Sequence, residues 1–160
     1  MQCGAAGASM LDPRAMARAS RSIEVDVPPE AFFRVVQDYA HYPEFVPEVK
    51  AVRVGAREGD AVEVTYWLDV KLKVFDFTLR HEARGPLLIE WQLVRGGEFM
   101  RKNRGSWTLE RTPAGLTRAT YAIDIDFGPL VPGNFEKALA DRGLPNLLAN
   151  FKVRAQQLAR

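Results

Sequence analysis

His41 and His81 are the only histidines in this 160-residue chain, and Cys3 is its only cysteine. A tetrahedral metal centre draws three or four ligands from such residues, so no zinc-type site is expected, and no other cofactor is implied. A serine nucleophile needs a histidine beside it, and no G-x-S-x-G turn is present to display one. A glycine-rich phosphate loop is likewise missing. Asp124 and Asp126 form a carboxylate pair, but they share the polar phase of a strand pattern, which reads as a solvated face rather than acid/base machinery. Arg101, Lys102 and Arg104 read as surface charge, with phosphate binding as the sharper alternative. Lysine and arginine number 22 against 20 acids, a net charge of +2 that does not call for nucleic acid. No residue is assigned a catalytic role.

The informative residues are polar ones in otherwise apolar phases: Tyr66, His81, Arg101, Asn103 and Tyr121. Each falls where alternation predicts an inward side chain. Two readings stand side by side. In one, the tyrosines bury their rings and satisfy the hydroxyl locally, while a strand end or bulge turns Arg101 and Asn103 outward. In the other, these groups orient a small molecule in an apolar pocket.

The elements that would position them follow from periodicity. Ile23, Val25 and Val27 alternate with Glu24 and Asp26, a half-buried strand over Ser22 to Val27 that Pro28 and Pro29 stop. Ala31, Phe32, Val35 and Val36 have helical spacing, and a second short helix is expected over Tyr39 to Phe45, closed by Pro47. From Val49 to Phe127 the pattern is strand after strand. Val62, Val64, Tyr66, Leu68 and Val70 share one phase, and Phe75, Phe77 and Leu79 the next, with a turn placed at Lys71 and Leu72. Gly85-Pro86, Gly96-Gly97 and Thr112 to Gly115 supply further turns. Between them Leu87, Ile89, Trp91 and Leu93 alternate, then Phe99, Trp107 and Leu109 fall in phase, then Ala119, Tyr121, Ile123, Ile125 and Phe127. Asn134 to Arg160 is a long amphipathic helix with a kink or break expected at Gly143 and Pro145. The sum is an α+β helix-grip fold: a curved antiparallel sheet of six to seven strands wrapped around the C-terminal helix, with two short helices after the first strand.

With 47% apolar residues the chain supports a single core, expected over residues 21–160, with residues 1–20 as a disordered tail in which Met10 or Met16 are alternative starts. The tail lacks the apolar centre of a signal peptide, and no run reaches membrane-span length. Together with one unpaired cysteine these features predict a cytoplasmic protein.

Asp38-Tyr39-Ala40-His41-Tyr42-Pro43-Glu44-Phe45-Val46-Pro47 resembles the hallmark of START-like proteins of the coenzyme Q-binding and cyclase/dehydrase type. Gly97-Glu98-Phe99 leading to Gly105-Ser106-Trp107 is similar to their Gly-x-Phe and Gly-x-Trp, and Phe151-Lys152-Val153-Arg154-Ala155 to their closing Phe-x-x-Arg-Ala. The sequence departs from the family in having no glycine at Lys71 to Lys73. The resemblance covers Ser20 to Arg160 and implies a helix-grip fold around an apolar cavity. Its members include a quinone-binding respiratory chaperone, a ribosome-association toxin, polyketide aromatases and cyclases, and plant lipid-binding proteins.

The function expected first is non-catalytic binding of a hydrophobic small molecule: an isoprenoid quinone, a lipid or a polyketide-like compound. Cyclisation or dehydration of a polyketide in the same cavity, and a ribosome- or protein-binding role, remain open beside it. The expected cavity wall comprises Tyr66, Leu68, Phe75, Phe77, Leu79, His81, Trp91, Leu93, Phe99, Arg101, Asn103, Trp107, Tyr121, Ile123 and Ile125, facing Leu147 and Phe151. Phe127, Leu130 and Val131, in the proline- and glycine-rich loop before the last helix, close one end of the core, form a lid, or present a patch to a membrane or protein partner.

Overall fold

The computed structural model describes residues 17–69, 74–97, 99–128 and 138–159. Seven strands form one curved antiparallel sheet: β1 (Ala17–Val25), β2 (Val49–Glu58), β3 (Ala61–Asp69), β4 (Val74–Ala83), β5 (Leu88–Arg95), β6 (Lys102–Arg111) and β7 (Thr117–Asp126). Their order across the sheet is β1-β7-β6-β5-β4-β3-β2. From β2 to β7 each strand therefore pairs with the next in sequence, while β1 closes beside the last. The chain between β1 and β2 must cross from one edge to the other. It does so through α1 (Pro29–Gln37) and a 3-10 helix (Tyr39–Glu44). Pro29 opens α1, where its missing N–H costs nothing, and Phe32, Val35 and Val36 are its buried stripe.

Period-two alternation makes one face of this sheet apolar. Val62, Val64, Tyr66 and Leu68 on β3 lie opposite His81, Leu79, Phe77 and Phe75 on β4, so both predicted phases meet on one face. The C-terminal helix α2 (Leu144–Leu158) packs Leu144, Leu148, Phe151 and Ala155 against α1 and β1, with all four side chains buried.

Several boundaries differ from expectation. The first strand runs over Ala17–Val25 rather than Ser22 to Val27, because its first half hydrogen-bonds to β7 up to Ile125. The strand thus enters the stretch expected as tail, and residues 1–16 lie outside the described residues. β6 begins at Lys102, so Phe99 sits in the turn before it and not in the strand. Leu87 precedes β5 and is exposed. The break expected at Gly143 and Pro145 takes the form of a π-helical turn, Leu139–Gly143, with Pro145 in the first turn of α2. The Lys71–Leu72 turn and most of the loop before the last helix lie outside the described residues.

Candidate functional site

The inward face is packed unevenly. Val25, Ala119, Leu109 and Trp107 are at most 3% exposed, and the Trp107 ring sits against Phe32 and Phe151. Leu68, Leu93, Phe99, Ile123 and Leu147, by contrast, are only half-buried against the core. The strand register spreads them along the face: Leu68 pairs with Phe75 at the start of β4, Leu93 with Leu79, and Ile123 lies in the row of Gly105, Trp91, His81 and Val62. Leu147 lies in the first turn of α2. Tyr121 belongs with them. Burial raises its phenol above the usual value, yet the side chain keeps some accessible surface. Its ring packs on Trp91 and Trp107, with centroids 5.3 and 4.9 Å away.

Trp91 is the centre of the polar groups. Its indole N–H donates to Asn103 Oδ1 at 3.0 Å, and its ring lies 5.3 Å from Tyr121 and 5.8 Å from His81. His81 is its direct cross-strand neighbour. His81 Nε2 lies 2.7 Å from the Tyr66 hydroxyl, and Tyr39 stacks on the imidazole with centroids 4.4 Å apart. His81 Nδ1 is buried and has no hydrogen-bond partner. Burial pushes this imidazole down to about 3, so it is neutral at pH 7. Burial likewise raises the Tyr66 and Tyr39 hydroxyls, which stay protonated.

Of the residues expected to line a cavity, Tyr66, Phe75, Phe77, Leu79, His81, Trp91, Asn103, Trp107, Ile125 and Phe151 are buried in the core or beside it. Asn103 is inward and not turned out: its amide bonds Trp91 and, through Nδ2, Met100 Sδ at 3.6 Å. Arg101 does not point inward. It is exposed in the bend before β6, and Nε lies 3.8 Å from Asp126 Oδ2. Its backbone N–H donates to the Asp126 carbonyl at 2.7 Å, which fixes the chain there one residue before alternation begins. Lys102 and Arg104 pair with Asp124 at 3.2 and 3.4 Å, a surface ladder as expected of charge on a polar phase. Phe127 is buried, while Leu130 and Val131 lie outside the described residues. Tyr39 is the site residue that alternation could not find. It comes from the 3-10 helix, and its only signal was its place in the Asp38 to Pro47 motif. Among the described residues, no cluster of histidine, cysteine and carboxylates could hold a metal, and no helix is long and apolar enough to cross a membrane.

A seven-strand sheet closed by a C-terminal helix, with two short helices after the first strand, defines the START-like fold. The sequence profile of the family described as polyketide cyclase / dehydrase and lipid transport matches residues 25–152, and the chain belongs to that family. Among solved structures, the Zhui aromatase/cyclase from Streptomyces sp. R1128 superposes with a TM-score of 0.81 at 15% identity, covering 91% of this chain and 97% of that one. A START superfamily protein from Mycobacterium smegmatis gives 0.78 at 22% identity, covering 90% and 99%. A STAR-related lipid transfer protein from Xanthomonas axonopodis gives 0.68 at 14%, covering 86% and 84%. No curated protein matches the chain.

Proposed function

We propose that the protein binds a hydrophobic small molecule, without transforming it, between the inward face of the sheet and α2. The observation that carries this reading is the uneven packing of the inward face: Leu68, Leu93, Phe99, Ile123 and Leu147 stay half-buried among fully buried neighbours. Transfer of a lipophile onto such surface contributes about 0.8 kcal/mol per methylene buried, before the cost of ordering the chain. The fold shared with an aromatase/cyclase and a lipid transfer protein is compatible with that use. Native mass spectrometry of protein purified from its producing cell tests it. A co-purifying lipophile of uniform mass is the expected result. Protein that stays empty under every condition, with no lipophile taken up, overturns the reading.

A second reading has one observation in its favour. The Tyr66 hydroxyl and the neutral His81 imidazole, 2.7 Å apart, form a pair able to pass a proton to a substrate carbonyl, as cyclisation or dehydration of a poly-carbonyl chain requires. Turnover of a linear poly-β-ketone that is lost in Tyr66→Phe would support it; an unchanged substrate after long incubation would rule it out.

A further inference from the structure

The pair formed by Tyr66 and His81 is one hydrogen bond short. A neutral imidazole carries one N–H and one bare nitrogen. When the Tyr66 hydroxyl donates to His81 Nε2, the Nδ1–H is left as an unpaired donor. When Nε2–H donates to the Tyr66 oxygen, the Tyr66 O–H becomes the donor left over and Nδ1 an unpaired acceptor. Either way the pair retains a donor that the protein does not use, in an interior where an unsatisfied polar group is costly. Nearby, the Asn103 amide is spent on Trp91 and Met100, and the Trp91 N–H on Asn103. Among the described residues, the buried polar side chains are those of Thr65, Thr78, His81, Asn103 and Thr117 together with Tyr39, Tyr42 and Tyr66, none of them a cation. A carboxylate or phosphate brought to this point would therefore have no buried opposite charge to meet, the positive charge that acts on Tyr39 being that of the exposed Arg57.

We propose that Tyr66 and His81 anchor an uncharged oxygen of the ligand, a hydroxyl or a carbonyl, so that the protein selects neutral oxygenated lipophiles over both pure hydrocarbons and anionic lipids. This rests on the binding role proposed above and assigns its polar contact. Nδ1 is closed off from solvent, and Tyr39 covers the imidazole face. The ligand oxygen consequently reaches it only as the surrounding rings shift. Burial keeps His81 uncharged throughout the neutral range, which suits a neutral partner.

Three probes of one shape separate the possibilities: naphthalene, 1-naphthol and 2-naphthoate, titrated at pH 7 into the full chain and into His81→Phe. The expected result is that His81→Phe weakens 1-naphthol roughly tenfold and leaves naphthalene unchanged, with 2-naphthoate the poorest of the three. A second measurement does not depend on that variant folding. His41→Gln leaves His81 as the only histidine, so the histidine ¹⁵N spectrum reports on it alone. Addition of 1-naphthol should shift its Nδ1 resonance, and naphthalene should not. Naphthalene and 1-naphthol bound alike by both proteins, with an unmoved Nδ1 signal, overturns this inference while the binding role stands; tight 2-naphthoate binding also overturns it. Failure of all three probes to bind removes the binding role and this inference with it.

Discussion

Gly105 shows how a single residue sets the site. A β-carbon built there would lie 2.3 Å from the Ala122 carbonyl oxygen and 2.5 Å from the Trp91 ring, so the indole can lie across β6 only because nothing projects from it. Gly105→Ala should displace Trp91 and its bond to Asn103, with a loss of about 1–3 kcal/mol read by urea unfolding. An unaltered midpoint would show that the ring has room to move. His81 makes a prediction with a definite sign. Its ordinary value is about 6.5, and in the folded chain it falls to about 3. Between those values the unfolded chain holds the proton and the folded one does not. Its contribution is therefore present above the upper value and lost as pH falls, at up to about 1.4 kcal/mol per pH unit. His41 acts in the opposite sense: its hydrogen bond to Asp38 raises it, so its contribution is present at low pH and is lost as pH rises through the folded value. Urea unfolding from pH 7 to pH 5 should show stability falling, His81→Phe flattening the slope and His41→Gln steepening it. A flat profile in the unsubstituted protein that His41→Gln leaves flat would contradict the burial of a neutral His81.

At the scale of elements, α2 holds to the sheet through Phe151. Its ring meets Tyr42 at 5.2 Å, Phe45 at 5.0 Å and Trp107 at 5.3 Å, joining the helix to the 3-10 segment and to β6. Phe151→Ala should cost about 3–5 kcal/mol by chemical denaturation, whereas Arg154→Ala, which removes a half-exposed pair to Glu44 at 3.0 Å, should cost about 1 kcal/mol or less. Equal losses would mean that charge and not ring packing fastens the helix. Both residues stand in the closing Phe-x-x-Arg-Ala pattern, so the sequence marked the fastening without ranking its parts. Strands β3, β4, β5 and β7 were legible because one face is dry and the other wet, which writes period two directly into the side chains. The start of β1 was not legible, since Ala17 to Arg21 carries little alternation and is recruited by hydrogen bonds to β7. Arg101 was misplaced for a related reason: a turn precedes β6, and alternation extended through it assigns Arg101 the wrong face, while Phe99, though outside the strand, still packs on Phe75. The polar groups at Tyr66, His81 and Tyr121 were legible as exceptions to an apolar phase, while their partners were not. That Tyr66 reaches His81, and that Tyr39 stacks on it, depends on register and on where the 3-10 helix crosses.

For the molecule as a whole, the decisive property is that its core combines fully buried residues with others that are only half covered. Val25, Phe32, Ala119 and Ala155 are at most 1% exposed, and they tie β1, α1, β7 and the last turns of α2 together. At the beginning of α2 Leu144 is buried but Leu147 is only half covered, as are Ile123, Phe99 and Leu68. A domain stabilised by its fully buried residues can keep half-covered surface elsewhere without losing its fold. Leu147→Trp tests that division of labour, because the larger ring should occupy the space a ligand would take. If the space is real, the substitution weakens 1-naphthol and naphthalene by roughly tenfold or more, and the melting temperature stays within a few degrees of the original. If that space is in fact filled, the added ring overpacks it, and the melting temperature drops sharply while any binding elsewhere is untouched.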